Sequence, residues 1–273
     1  MLRKNAYYST KLFTCFRALE SLYEVAELLF ELGSEARLGI LSNLNRAPEK
    51  MSQLALDLET TIQEVSRQCT RLEDSGLIER HPDGKFGLTA VGKLALSLLP
   101  AFELLQKERE YFAAHDTTSL PPQFIERIGE LLDHQRLDHI DDALKFQQSV
   151  VKDSTSFVWF MSDQPVGHAL RSDHSHFSPN TKLRIILPKT VDTAVFRGAR
   201  NEMKSRFEVG LVEEVQIVIA MNEKSAGFSL PTLDRRSDYS RGFVGSSPAF
   251  HGWCQDLFSY YWEKAVKVYP QAD

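Results

Sequence analysis

Apolar residues along the first third of the chain recur at helical spacing. Over 9–32, Leu12, Phe13, Phe16, Leu19, Leu22, Val25, Ala26, Leu28 and Leu29 share one broad stripe, which predicts a long amphipathic helix. Gly33 interrupts the stripe, Ser34 offers an N-cap, and a second helix carries Leu38, Ile40, Leu41 and Leu44 to the turn at Pro48. A short helix over 52–58 turns Leu54, Ala55 and Leu58 inward, and Glu59-Thr60-Thr61 leads into a third helix that stops at Ser75-Gly76. Within it, Ile62, Val65, Cys69 and Leu72 form the apolar face. The pattern then shortens to two strands, 77–80 and 86–88, joined by a turn with the hairpin dipeptide Asp83-Gly84. Thr89 caps a helix reaching about 115, with Pro100 expected to kink it.

A turn-rich stretch over 116–122 marks the expected domain boundary. Beyond it, strand-like runs at 156–161, 183–187, 215–220, 227–230 and 241–244 alternate with helical segments, notably 140–151, 193–206 and 250–268. The expected fold class is α+β and multidomain. A head with an N-terminal dimerisation helix occupies 1–89, a linking and dimerisation helix 90–118, and an α/β domain 119–273.

Composition limits the function classes. With 42% hydrophobic, 10% aromatic and 25% charged residues, the 273-residue chain has material for packed cores and is not a disordered one. No apolar run approaches the ~20 residues of a membrane span, and the opening MLRKNAYYST is not followed by a signal-peptide apolar region, so no membrane partner and a cytoplasmic location are expected. Cys15, Cys69 and Cys254 stand far apart without CxxC spacing, which predicts neither disulfide nor zinc site. A net charge of −5 gives no general attraction to nucleic acid, so any such contact depends on a local basic patch.

The outer face of the third helix supplies such chemistry. Gln63, Glu64, Arg67, Thr70 and Arg71 point away from its apolar face, with Thr60 and Thr61 at its start. In a major groove, Arg can hold guanine through two hydrogen bonds, Gln can hold adenine, and Glu can accept from cytosine. Arg46, Lys50 and Ser52 lie where backbone phosphates are expected, and His81 and Lys85 sit on the hairpin. The run RQCTRLEDSGLIERHPDGKFGLTAVGKLA resembles winged helix-turn-helix regulators of the ArsR-like kind. Farther on, EEVQIVIAMNEKSAGFSLP and SDYSRGFVGSSPAFHGWCQDLFSYYWEKA resemble archaeal regulators of the methanogenesis regulatory protein family, most specifically at Trp253, Leu257, Phe258, Tyr261 and Trp262. One departure is Arg235-Arg236, ahead of the acidic–aromatic pair Asp238-Tyr239. The resemblance implies a homodimeric DNA-binding transcription regulator with a phospholipase-D-like effector domain that senses a small molecule.

The effector half lacks the HxK pair that phospholipase-D-like catalysis requires, so the chain is expected not to be an enzyme and to need no cofactor. His174 and His176, beside Arg171 and Asp173, have chelating spacing, but a solvated loop accounts for them and no metal site is expected. Ligands of open α/β sheets sit at the carboxyl ends of parallel strands, which points to Ser162, Asp163, Lys189 and Thr190, with Arg197 and Arg200 suited to an anion. Two rival readings remain: a hydrolytic, phosphodiesterase-like domain targeted by a winged helix, and a winged helix used for protein contacts.

Overall fold

The computed structural model describes residues 22–165 and 180–268. The chain divides into two compact units, Met1–Leu99 and Pro100–Asp273.

The first unit contains helix α1 over 22–32, then α2 (Glu35–Arg46), α3 (Met51–Asp57), α4 (Ile62–Asp74), the strands β1 (Ile78–Arg80) and β2 (Phe86–Leu88), and the start of α5 (Ala90–Lys107). Leu41, Leu54, Val65, Cys69, Leu72, Leu77 and Phe86 are fully or almost fully buried in its core. Thr61 caps α4 by accepting the Glu64 N–H, and Gly76 at φ 69° ends it in the left-handed conformation that glycine adopts most readily. β1 and β2 pair antiparallel from Ile78↔Leu88 to Arg80↔Phe86, and Glu49 adds two backbone hydrogen bonds to Phe86 from the other side. Gly92 is fixed by close approach. A Cβ there would lie 2.1 Å from the Leu77 carbonyl oxygen, which accepts the Thr89 N–H.

Three local expectations change. Ser34 precedes α2 without a side-chain capping bond. Ile62 is 56% exposed, and the inward stripe of α4 is Val65, Gln68, Cys69 and Leu72. Gln68 is buried because α2 presents Arg37 rather than an apolar residue to that part of the stripe. Pro100 lies inside α5, which continues to Lys107; the break comes at Glu108, before α6 (Arg109–Ala114).

The second unit adds α7 (Pro122–Glu126), β3 (Gln135–Leu137), α8 (Ile140–Lys152), β4 (Phe157–Met161), β5 (Lys182–Pro188), α9 (Arg197–Met203), β6 (Phe207–Val212), β7 (Val218–Asn222), β8 (Ala226–Ser229), β9 (Gly242–Gly245), α10 (Pro248–Lys264) and β10 (Val266–Val268). Eight strands form one sheet in the order β10-β6-β5-β4-β7-β8-β9-β3. Only β4, β5 and β6 run parallel to one another; every other neighbouring pair is antiparallel. The sheet is therefore mixed, and the unit α+β.

Alternation along each strand fills both faces. Val158, Phe160, Leu183, Ile185 and Leu187 pack with Val150 and Val151 of α8 and with Phe196 and Met203. Met161, Ile186, Ile219, Met221, Phe228 and Phe243 pack with Phe250, Trp253, Leu257 and Phe258 of α10. The turn-rich stretch at 116–122 lies inside this unit and is no linker: Leu120 is buried, and the Asp116 N–H donates to the Pro231 carbonyl. The predicted closing helix stops at Lys264, and Val266–Val268 pairs with the edge of β6, whose backbone N–H and C=O groups a further helical turn would leave without these partners.

Candidate nucleic-acid interface and effector sites

On α4, Gln63, Arg67 and Thr70 are exposed, as are Thr60 and Thr61 before it. Arg67 folds onto Glu64 through two hydrogen bonds, Nε–Oε2 at 3.1 Å and Nη2–Oε1 at 2.8 Å. Hydrogen bonds from Arg67 and Gln68 hold the Glu64 carboxyl below its usual range. The Thr70 hydroxyl donates to the Ser66 carbonyl. These side chains lie along one solvent face at the spacing of successive helical turns.

Arg71 does not share that freedom. Its guanidinium donates to both Glu31 oxygens, at 2.5 and 3.3 Å, and lies over the Phe30 ring at 5.2 Å. Glu31 also pairs with Arg37 at 2.9 Å, and Arg37, buried, donates to the carbonyls of Phe30 and Glu31 and to Gln68 Oε1. Gln68 in turn donates to Glu64 at 2.6 Å. A continuous polar chain thus runs from α1 through α2 to the outer face of α4. Sequence reasoning missed Glu31, Arg37 and Gln68. The signal was present: Arg37, Ile40, Leu41 and Leu44 occupy one helical stripe, and a charged residue on such a stripe must find partners.

Arg46, Lys50 and Ser52 are exposed, Lys50 immediately preceding α3. The hairpin differs from expectation. His81 leans back over Gly87, its Nε2 lying 2.7 Å from where a Cβ of residue 87 would stand, and its backbone N–H closes the turn onto the Lys85 carbonyl. Lys85 is half-buried with its ammonium 3.9 Å from Asp83, so the exposed tip consists of Pro82 and Asp83. The hairpin tip presents less positive charge than the sequence suggested.

In the second unit the expected ligand residues fall into separate places. Ser162 is buried at the end of β4, its hydroxyl 2.7 Å from the Tyr239 hydroxyl, which also donates to Asp163. Burial raises the Tyr239 phenol above its ordinary range, and the bond to Asp163 adds to the effect. Lys189 pairs with Glu213, and Thr190 is exposed in the turn after β5. Arg197 and Arg200 line another groove, walled by Phe196, Phe207, Val209 and Val268. His174 and His176 lie outside the described residues. Among the described residues no group of three or more metal-ligating side chains converges, and no helix is long and apolar enough to cross a membrane.

Asp238 is a hub. It accepts from the Ser240 N–H at 2.8 Å, the Ser240 hydroxyl at 2.6 Å and the Arg241 N–H at 3.1 Å, and stands 3.1 Å from His115 Nε2. Burial alone would raise its carboxyl, but these hydrogen bonds outweigh it and hold it at about 2. The nearby Arg235 adopts φ 61° in a turn closed by Thr232.

No protein-family model matches the chain, and no curated protein matches it. Among solved structures it is similar to TrmBL2, an archaeal chromatin protein described as showing a novel mode of DNA binding, at 14% identity and TM-score 0.40 over 81% of this chain and 88% of that one. It is also similar to the riboflavin-derivative dimethyltransferase RosA from Streptomyces davawensis, at 15% identity and TM-score 0.28 over 72% of this chain and 66% of that one. A third is an O-methyltransferase of Nostoc punctiforme, at 13% identity and TM-score 0.28 over 73% and 66%. Methyltransferases in this set stand against the sequence-based expectation that the chain is not an enzyme. At these TM-scores no likeness assigns an activity or a binding partner to the chain.

Proposed function

We propose that the chain is a sequence-specific DNA-binding transcription regulator whose first unit is a winged helix-turn-helix reading head and whose second unit senses a small molecule. The observation that carries this reading is the solvent face of α4, where Gln63, Arg67 and Thr70 stand free of the core on a helix that follows α3 through a tight turn and precedes a hairpin. An α-helix of this kind fits the major groove of B-DNA, and Arg67 reaches a guanine edge by exchanging Glu64 for the base. Arg46, Lys50 and Ser52 serve phosphates, together with Thr60 and Thr61, while Arg71 belongs to the scaffold that holds α4.

A second copy completes the head in this reading. The first unit exposes Leu22, Val25 and Leu29 on α1 and Val91, Leu94 and Leu98 on α5, each set at spacings of three and four residues. Such seams bury their apolar stripe against another helix, and two-fold symmetry then presents two α4 helices to a palindromic site. The sequence resemblance to archaeal regulators supports the same assignment.

Titration with the DNA upstream of the chain's own gene, against scrambled DNA across a salt series, tests the reading. Specific binding that weakens with salt is expected, with Arg67→Ala losing about tenfold to a hundredfold in specific affinity. Equal binding of both DNAs by wild type and variant alike would overturn it. Light scattering of Leu94→Arg/Leu98→Arg reads the second element: a shift from dimer to monomer is expected.

A further inference from the structure

The first turn of α4 stands clear of the core. Thr60, Thr61, Ile62 and Gln63 are exposed in succession, and full burial begins only at Val65. Three of these four residues are polar, and Ile62 is the exception. It is 56% exposed and belongs neither to the buried cluster of Leu54, Val65 and Cys69 nor to the apolar side chains packed around that cluster. Ile62 shares the helical stripe of Val65 and Cys69, three and seven residues on, yet its exposure shows that packing against α4 begins one turn later. Nothing in the fold asks for an apolar residue there. Thr61 already caps the helix, and a β-branched side chain at an exposed first position gains no packing and is a weaker helix former than alanine.

The exposed apolar residues of α1 and α5 come in seams, at spacings that suit another helix. Ile62 is part of no such seam: its neighbours in the chain are Thr60, Thr61 and Gln63, and the residue one helical turn on is Ser66. A single apolar group within a hydrogen-bonding surface fits a single apolar group on its partner. The major groove of DNA carries one, the 5-methyl group of thymine, among base edges that otherwise present donors and acceptors. The N-terminal residues of a helix lying in that groove are the ones that meet base edges. Ile62 is the first residue of α4 and stands beside Gln63, whose amide suits adenine.

We propose that Ile62 is a specificity-determining residue of the α4 face, its side chain receiving the 5-methyl group of one thymine. The assignment rests on the reading of α4 as the helix that enters the major groove, and it adds to Gln63, Arg67 and Thr70 a contact of the opposite chemistry. A hydrogen-bonding side chain sorts bases by their donors and acceptors, and to it thymine and uracil are alike. An apolar side chain sorts them by the methyl group alone, so the contact of Ile62 is the one that replacing thymine with uracil removes.

The test uses the full chain and a duplex that it enriches from a random-sequence pool, with each thymine of that duplex replaced in turn by uracil. For wild type, uracil is expected to weaken binding about fourfold at one thymine per bound α4 helix, the worth of removing one methyl-sized group from water. Ile62→Ala is expected to bind the thymine and uracil duplexes alike at that position, with an unfolding midpoint close to that of wild type because the side chain lies outside the core. Ile62→Val, which keeps the branched methyl groups, is expected to retain most of the uracil penalty. Leu56→Ala, which removes an apolar side chain 72% exposed on α3, is expected to retain all of it. Enrichment of no sequence by wild type would overturn the reading of α4 and this assignment with it. An enriched sequence in which no uracil costs wild type more than it costs Ile62→Ala, or a penalty lost equally in Leu56→Ala, would overturn the assignment of Ile62 alone.

Discussion

The two units bury charge in contrasting ways. In the first, a polar chain begins at buried Arg37, passes through Glu31 and Gln68, and ends in solvent at Glu64 and Arg67. In the second, two histidine–carboxylate pairs close around two buried rings, Glu108 with His134 at 2.9 Å and Asp238 with His115 at 3.1 Å, and the carboxylates also hold the partly exposed Arg136 and Arg241. Between them lie Tyr111 and Phe243, with His115 stacked on Tyr111 at 3.8 Å and His134 edge-on to Phe243 at 4.5 Å. The buried histidines and carboxylates of this arrangement are satisfied by one another and by backbone groups, so its effect falls on stability. The open chain reaches the surface that would touch DNA, so a change at α1 is felt there. Buried polar groups fix structure in both units, and in the first the network ends on the outer face of α4.

The largest effect is expected from Glu108→Ala. It leaves His134, whose side chain has no exposure, and Arg136 without their shared carboxylate. Removing one partner of a buried pair costs about 3–5 kcal/mol, readable in urea unfolding; a loss under about 1 kcal/mol would mean that the closed network carries little. Next is Asp238→Asn, expected to lower stability by about 2 kcal/mol at neutral pH, as for hydrogen bonds to a charged group. Here pH gives a second reading. The folded carboxyl sits at about 2, below the ~3.9 of an unfolded aspartate, so its contribution is full above pH ~4 and is lost as pH falls through about 2. Acid titration of unfolding should therefore show a shallower slope in that window for Asp238→Asn than for wild type.

Glu31→Gln sharpens the comparison from the other side. It removes the carboxylate that neutralises Arg71, and the freed guanidinium adds a cation to the face of α4. With α4 on DNA, the slope of log affinity against log salt should steepen by about one unit, and Arg71→Ala in the same background should reverse it. An unchanged slope would show that Arg71 stays bound to the scaffold without Glu31. The smallest effect on the fold is expected from Arg67→Ala, whose side chain is 68% exposed and, among the described residues, paired with Glu64 alone. Its unfolding midpoint should match wild type while its DNA binding does not, which separates the open end of the network from its buried start.

Much of the first unit was legible because its elements are local. Periodicity marked α2 to α4, Ser75-Gly76 marked the end of α4, and Asp83-Gly84 marked the hairpin. Each is a short-range choice of backbone that neighbouring residues dictate. Arg71 shows where that reasoning stopped: it lies on the correct outer arc of α4, but Glu31 and Phe30 take it, forty residues back in the chain. His81 was likewise placed at the hairpin tip, and the missing side chain at Gly87 lets it fold back. In the second unit β3, β6 and β10 went unread. Phe207–Val212 follows directly on a helical stretch and contains Gly210, and Val266–Val268 continues the chain of α10, so neither stands out until the sheet edge is there to pair with.

The sequence by itself determined which segments are helices and hairpins, where the apolar faces lie, and that the third helix carries Gln63, Arg67 and Thr70 outward. These follow from the 3.6-residue and two-residue periods and from the φ preferences of glycine, none of which needs a partner. Tertiary structure alone decided which charged side chains are committed and which remain open. A guanidinium is taken or left free according to what distant strands and helices bring within 3 Å of it, and that distance is set by packing rather than by spacing along the chain.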